Sequence, residues 1–157
     1  MYQLVLGIQI VSIIALIAEC YLVFSDGKGA LHTCLLFSCA ATLVNNIGYL
    51  SQLLARSGEA YMAALKLSYF GRVWISFALV LFIAELTQTK IPQILKSVMA
   101  LINVVTYVII YTTEYTGLYY ICGDFEVVRQ FPNFYHENGI WHDVWTAVVA
   151  VHIVLGL

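Results

Sequence analysis

Residues 29–55, GALHTCLLFSCAATLVNNIGYLSQLLA, run for 27 positions without an Asp, Glu, Lys or Arg. A helix that crosses the hydrocarbon core of a bilayer needs about 20 predominantly apolar residues, and this stretch is long enough to do so. The pattern repeats outward from it. Upstream, Leu4 to Phe24 is interrupted by the polar residues Gln9, Ser12 and Glu19 alone. Downstream, a segment that opens amphipathic at Glu59 becomes apolar, but for Ser76, from Val73 to Ala84, and a second charge-free run of 17 residues covers Ser97 to Thr113. Over all 157 residues, 62% are hydrophobic and 10% charged, and mean hydropathy is +0.88. Soluble domains carry about 25% charged residues. The chain is an integral membrane protein.

The segments between the apolar runs read as turns. Ser25 to Gly29 is polar and glycine-rich, Arg56 to Gly58 closes the second run, and Thr87 to Pro92 closes the third. Pro92 suits the first turn of a new helix, where its missing N–H is not needed. The spacing predicts an all-α membrane bundle of about five transmembrane helices, near 4–24, 31–54, 59–88, 93–115 and 141–157. The chain reads as one domain, 1–157, without linker or repeat. Val144 to Leu157 offers 14 residues, or about 21 Å of helix, with no polar cap, so the last helix reads as cut short.

Thr116 to Asp143 is the one long polar stretch. Its aromatic and β-branched runs on either side of Gly123-Asp124 predict a short hairpin between the fourth and fifth helices, with that dipeptide near the turn.

Polar side chains inside apolar helices usually face a bundle interior or a cavity. In the second helix Asn45, Tyr49 and Gln52 share a face. In the third, Lys66, Tyr69, Arg72 and Ser76 do so. In the fourth, Asn103, Thr106, Tyr107 and Glu114 do so. These faces predict a ligand pocket between helices two, three and four, built from Asn45, Tyr49, Tyr69, Arg72, Trp74 and Asn103 and roofed by Tyr119, Tyr120 and Trp141. The alternative is plain helix packing, with hydrogen bonds worth roughly 0.6 kcal/mol each. Trp74, Trp141 and Trp145 equally suit interfacial anchoring, and Lys66 and Arg72 suit snorkelling to headgroups.

Several chemistries are excluded. A net charge of −2 leaves no basic patch for nucleic acid. The four cysteines form no Cys-x-x-Cys pair, and three lie in apolar runs where Cys acts as a small hydrophobe. His136, His142, His152 and Asp143 lack the spacing of a metal site, so no metal ligand is expected. No nucleophile–base pair, phosphate loop or cofactor motif is visible, so neither catalytic residues nor a cofactor is expected.

The segments NNIGYLSQLL and LKLSYFGRVWISFALVLFIAELT carry a resemblance. With Gly48-Tyr49 near the end of the second helix and Tyr69, Gly71 and Trp74 in the third, the sequence resembles the seven-helix N-terminal membrane region of bacterial sensor histidine kinases and diguanylate cyclases. Gly139, Ile140, Trp141 and His142 resemble a variant of the start of that region's fifth helix. The resemblance implies a sensory domain of a bacterial signal-transduction protein. It implies a multi-pass protein of the inner (plasma) membrane, embedded in the lipid bilayer and coupled to a cytoplasmic signalling domain or partner protein. A small extracytoplasmic ligand and a homodimer are compatible with it. No phosphoacceptor segment, ATP-binding box or cyclase motif occurs, so neither kinase nor cyclase activity is expected. The alternatives are a small membrane transporter and a membrane scaffold. Basic residues are almost balanced between the two sides, Lys28, Lys90 and Lys96 against Arg56 and Arg129. The resemblance therefore sets the orientation, with the N-terminus and the 116–143 segment outside.

Overall fold

The structure, a computed structural model, describes residues 1–156. Among the described residues, four helices are long and apolar enough to cross a membrane: α1 (Tyr2–Asp26), α2 (Ala30–Leu54), α3 (Gly58–Leu86) and α4 (Gln93–Tyr111). A short helix α5 (Thr113–Thr116) and two antiparallel strands, β1 (Tyr120–Val128) and β2 (Phe131–Asn138), lead into the apolar helix α6 (Ile140–Gly156).

α3 is the axis of the bundle. Ser57 caps it, its hydroxyl accepting from the Ala60 N–H at 3.2 Å, and Glu59 complements the dipole in the first turn. The helix then continues unbroken for 29 residues. Its small residues Ala64, Ser68, Gly71 and Ala78 are all buried. Against them α2 sets Ala41, Asn45 and Gly48. A Cβ on Gly48 would lie 2.2 Å from the Ser68 nitrogen, and one on Gly71 would lie 2.3 Å from the Ala41 carbonyl. Small residues let helix backbones approach this closely, which gives dispersion contacts that lipid cannot replace.

α1 attaches mainly to α2. Gln9 Nε2 donates to Asn46 Oδ1 at 2.8 Å and to its carbonyl at 2.9 Å, while the Tyr2 hydroxyl donates to the Leu53 carbonyl at 2.9 Å. α6 lies along α3 and α4. Trp145 is buried there, the Ser76 hydroxyl meets His152 Nδ1 at 2.9 Å, and Trp141 Nε1 donates to Thr106 Oγ1 at 3.1 Å.

Two expectations need correction. The fourth helix does not run to residue 115. It ends at Tyr111, and α5 follows after Thr112. Thr113 explains the break, since its hydroxyl accepts from the Tyr120 N–H at 2.8 Å and faces the Tyr120 carbonyl at 3.1 Å, tying the chain to the hairpin. Gly117, at φ 62°, then reverses the chain. The hairpin is present, but Gly123-Asp124 is not its turn. Cys122 pairs with His136 and Phe125 with Phe134, so β1 holds one extra residue in between, a bulge. The turn is Arg129-Gln130, whose φ values of 49° and 75° give the two left-handed positions of a tight hairpin turn.

Candidate functional site

The hairpin packs against the start of α3, and its root forms an enclosed cluster of aromatic and polar groups. Tyr119 and Tyr120 are buried, with Tyr119 at 1% exposure. Two backbone bonds fix their position: the Gly139 N–H donates to the Tyr119 carbonyl at 2.8 Å, and the Trp141 N–H donates to the Leu118 carbonyl at 2.9 Å. Gly139 is required for that approach, because a Cβ there would sit 2.3 Å from the Leu118 oxygen.

From α3, the buried Tyr69 rises to meet this root. Its hydroxyl shares a 2.6 Å hydrogen bond with that of Tyr120. The ring lies edge-on to Tyr119 at 5.2 Å between centroids. Tyr120 also packs on His136 at 4.2 Å, and Tyr119 on His142 at 5.4 Å. Burial holds both root tyrosines far above the usual phenol range, with the neighbouring Tyr69 adding to the shift. At neutral pH they act as neutral hydrogen-bonding groups.

One turn further along α3, the Arg72 guanidinium lies over the Tyr69 ring, 4.5 Å from its centroid. Arg72 Nε donates to Asn45 Oδ1 at 3.1 Å, and Ser68 donates to the same oxygen at 2.9 Å. Arg72 Nη2 donates to Ser68 Oγ at 3.3 Å. Asn45, Ser68, Arg72, Tyr69, Tyr120 and Tyr119 thus form one continuous chain of contacts from the α2–α3 seam to the hairpin.

The other expected residues lie elsewhere. Tyr49 is 40% exposed, away from this chain. Trp74 is half-buried between Phe37 and Phe77, with both ring centroids 6.1 Å away. Asn103 is fully buried on α4, and neither polar atom of its amide has a hydrogen-bond partner among the described residues. Trp141 joins α6 to α4 through Thr106 and touches the root through its backbone. Ser68 and Gly71 face α2, while Phe70 and Phe77 face α4. The polar faces of α2 and α4 therefore meet opposite flanks of α3.

Sequence reasoning passed over three contributors. Ser68 stands one turn before Arg72 in the row of small residues, a spacing that was available as a signal. Thr113 and Arg56 carried none. Arg56 Nη1 reaches the Gln130 carbonyl at 3.4 Å across the sequence and helps hold the hairpin tip against Tyr2, whose ring lies edge-on to Phe131 at 5.2 Å. On the opposite side of α3, Lys66 pairs with Glu114 and lies 4.9 Å from the Tyr111 ring centroid.

The family model of the N-terminal 7TM region of histidine kinase matches residues 8–157. No curated protein and no solved structure matches the chain.

Proposed function

Because the chain belongs to the family of N-terminal 7TM regions of histidine kinases, a sensory input region, we propose that it reads a stimulus at its hairpin end and passes it along α3 and α6 to a cytoplasmic signalling domain or partner. In this reading α1 to α4 and α6 are five spans of the inner membrane. The N-terminus and hairpin are extracytoplasmic, and the chain itself performs no catalysis. The ligand surface is the root of the hairpin, with Tyr69, Arg72, Tyr119 and Tyr120 as its polar and aromatic groups.

The observation that carries this reading is the linkage of the hairpin root to two helices at once. Tyr120 is bonded to Tyr69 of α3, while Tyr119 and Leu118 are bonded to the start of α6. A ligand that binds one arrangement of this root better than another shifts α6 relative to α3, and only such differential affinity can do so. A homodimer and a small extracytoplasmic ligand are compatible with this mechanism.

The test grafts residues 1–157 in place of the corresponding helices of a kinase of this family and follows autophosphorylation in membrane vesicles. The graft should support kinase output, and Tyr120→Ala should change that output severalfold. Equal output from both grafts, with each inserted and folded, would count against the sensory role. Solute uptake by proteoliposomes holding the chain would favour the transporter reading. Absence of both effects would leave the scaffold.

A further inference from the structure

The connection between α3 and α4 carries charges placed against their own helices. Glu85 stands in the last turn of α3, where the helix dipole is already negative. Lys96 is the fourth residue of α4, where the dipole is already positive. Lys90 lies between them, in the turn itself. Neither helix gains from this arrangement, since cations suit a C-terminus and anions an N-terminus. Nor do the three charges neutralise one another: among the described residues, the ion pairs are Lys66 with Glu114 and His142 with Asp143.

Glu85, Lys90 and Lys96 line one cavity of about 510 Å³, within the roughly 300–1,000 Å³ of small-molecule sites. Cys34 of α2 contributes to its wall, so three helices meet there. Its apolar side is Leu81 and Ile91, which pack on Phe77, Val80 and Met99. The turn has a fixed shape. The Thr89 N–H donates to the Ala84 carbonyl at 2.8 Å, the Gln88 N–H donates to that of Glu85 at 3.3 Å, and Gln88 takes a left-handed φ of 56°. Depth follows from the hairpin. Tyr69 adjoins its root, and Leu86 lies 17 residues further along α3, or about 25 Å. α4 returns over 19 residues, about 28 Å, from the cavity to Tyr111 beside α5. Against a hydrocarbon core of about 30 Å, the cavity lies at headgroup level on the membrane face opposite the hairpin.

We propose that this cavity binds the headgroup of phosphatidylethanolamine, with Lys90, Lys96 and the Thr89 hydroxyl on the phosphate and Glu85 on the primary ammonium. Unpaired charges of both signs in one cavity select a headgroup that carries both, and each contact is then a charge-assisted hydrogen bond. A phosphatidylglycerol headgroup brings no cation to Glu85, and a choline headgroup has no N–H to donate to it. Depth selects a lipid over a soluble zwitterion, because the bilayer presents phosphates at this level while Leu81 and Ile91 offer an apolar wall to the glycerol and the first acyl carbons. The site does not depend on the sensory reading, nor on which membrane face is cytoplasmic.

The test titrates the delipidated full chain in detergent micelles with phosphatidylethanolamine, phosphatidylcholine or phosphatidylglycerol of identical acyl chains. Native mass spectrometry reads the one-to-one adduct. Phosphatidylethanolamine should bind about tenfold more tightly than either of the others, equivalent to ~1.4 kcal/mol. Glu85→Gln should remove its advantage over phosphatidylglycerol, and Lys96→Gln should weaken its binding about tenfold. Lys28→Gln, in the α1–α2 turn and outside the cavity, should leave binding unchanged. Equal binding of the three lipids, or tighter binding of phosphatidylglycerol, would overturn the proposal. So would a preference that survives Glu85→Gln, or an equal loss in Lys28→Gln. Should Lys96→Gln misfold, the exposed Lys90 decides: undiminished binding in Lys90→Gln overturns the phosphate contact. Displacement of the lipid by an equal concentration of soluble glycerophosphoethanolamine would assign the cavity to a free phosphodiester and overturn the lipid.

Discussion

Gly48→Ala adds one methyl group to the closest contact in the bundle. The new Cβ would lie 2.2 Å from the Ser68 nitrogen, 2.4 Å from its Cα and 2.7 Å from its Cβ. Two of these atoms are backbone, so no rotamer change relieves the clash. Ordinary contact begins near 3.5 Å, and α2 must therefore retreat from α3 by about 1.3 Å. The Ser68–Asn45 bond, now 2.9 Å, would open to roughly 4.2 Å, beyond hydrogen-bond reach, and the 3.1 Å bond from Arg72 would follow. Overpacking costs roughly 1–3 kcal/mol, and two interhelical bonds add about 1.2 kcal/mol. Alanine returns about 1 kcal/mol as the better helix former. The net loss is roughly 1–3 kcal/mol. Gly7→Ala supplies the control, because nothing lies within 4 Å of its Cβ and only the propensity gain remains. Reversible unfolding in mixed micelles, followed by far-UV circular dichroism, measures both. A Gly48→Ala variant as stable as the parent, or a Gly7→Ala variant equally damaged, would refute the tight seam.

Further outcomes follow from the hairpin and its root. Tyr69→Phe leaves the buried Tyr120 hydroxyl without its 2.6 Å partner, and should weaken hairpin docking by about 1 kcal/mol, read as faster limited proteolysis of the hairpin. Since burial raises the phenol pKa of Tyr119 and Tyr120 in the folded state, their contribution is fully present below the unfolded tyrosine value of about 10 and is lost as pH rises above it. Proteolysis should therefore be flat through neutral pH and accelerate only in strong alkali, and acceleration already at neutral pH would contradict this. In a background without the four native cysteines, Asn133→Cys should react with an impermeant maleimide in intact cells while Gln88→Cys should not. The reverse labelling would invert the orientation.

The apolar runs around α1 to α4 were legible because membrane helices need length and hydropathy, which composition displays directly. The break after Tyr111 was not. It depends on Thr113 meeting Tyr120, a contact made only when the hairpin folds back. The hairpin turn was misplaced for a related reason. Gly123-Asp124 has the residue preference of a turn, whereas the actual turn residues, Arg129 and Gln130, have little intrinsic liking for positive φ. Arg56 and the packing of Phe131 on Tyr2 help hold them there. Helical spacing correctly grouped Tyr69 with Arg72. It could not show that the faces of Asn45 and Asn103 meet opposite flanks of α3, since periodicity defines a face without naming the neighbour.

The α2–α3 seam also bears on biogenesis. α1 has a mean hydropathy of 2.2 over its most apolar window, whereas α2 reaches only 1.4 and carries Asn45, Asn46 and Gln52. At the translocon, α1 is apolar enough to partition into lipid unaided. α2 gains less from lipid and more from its neighbours, because Asn45 accepts from Ser68 and Arg72 of α3 while Asn46 accepts from Gln9 of α1. The three-residue connection between α2 and α3 lets the pair enter as a unit. Membrane integration of α2 should thus be decided only after the ribosome has released the residues of α3.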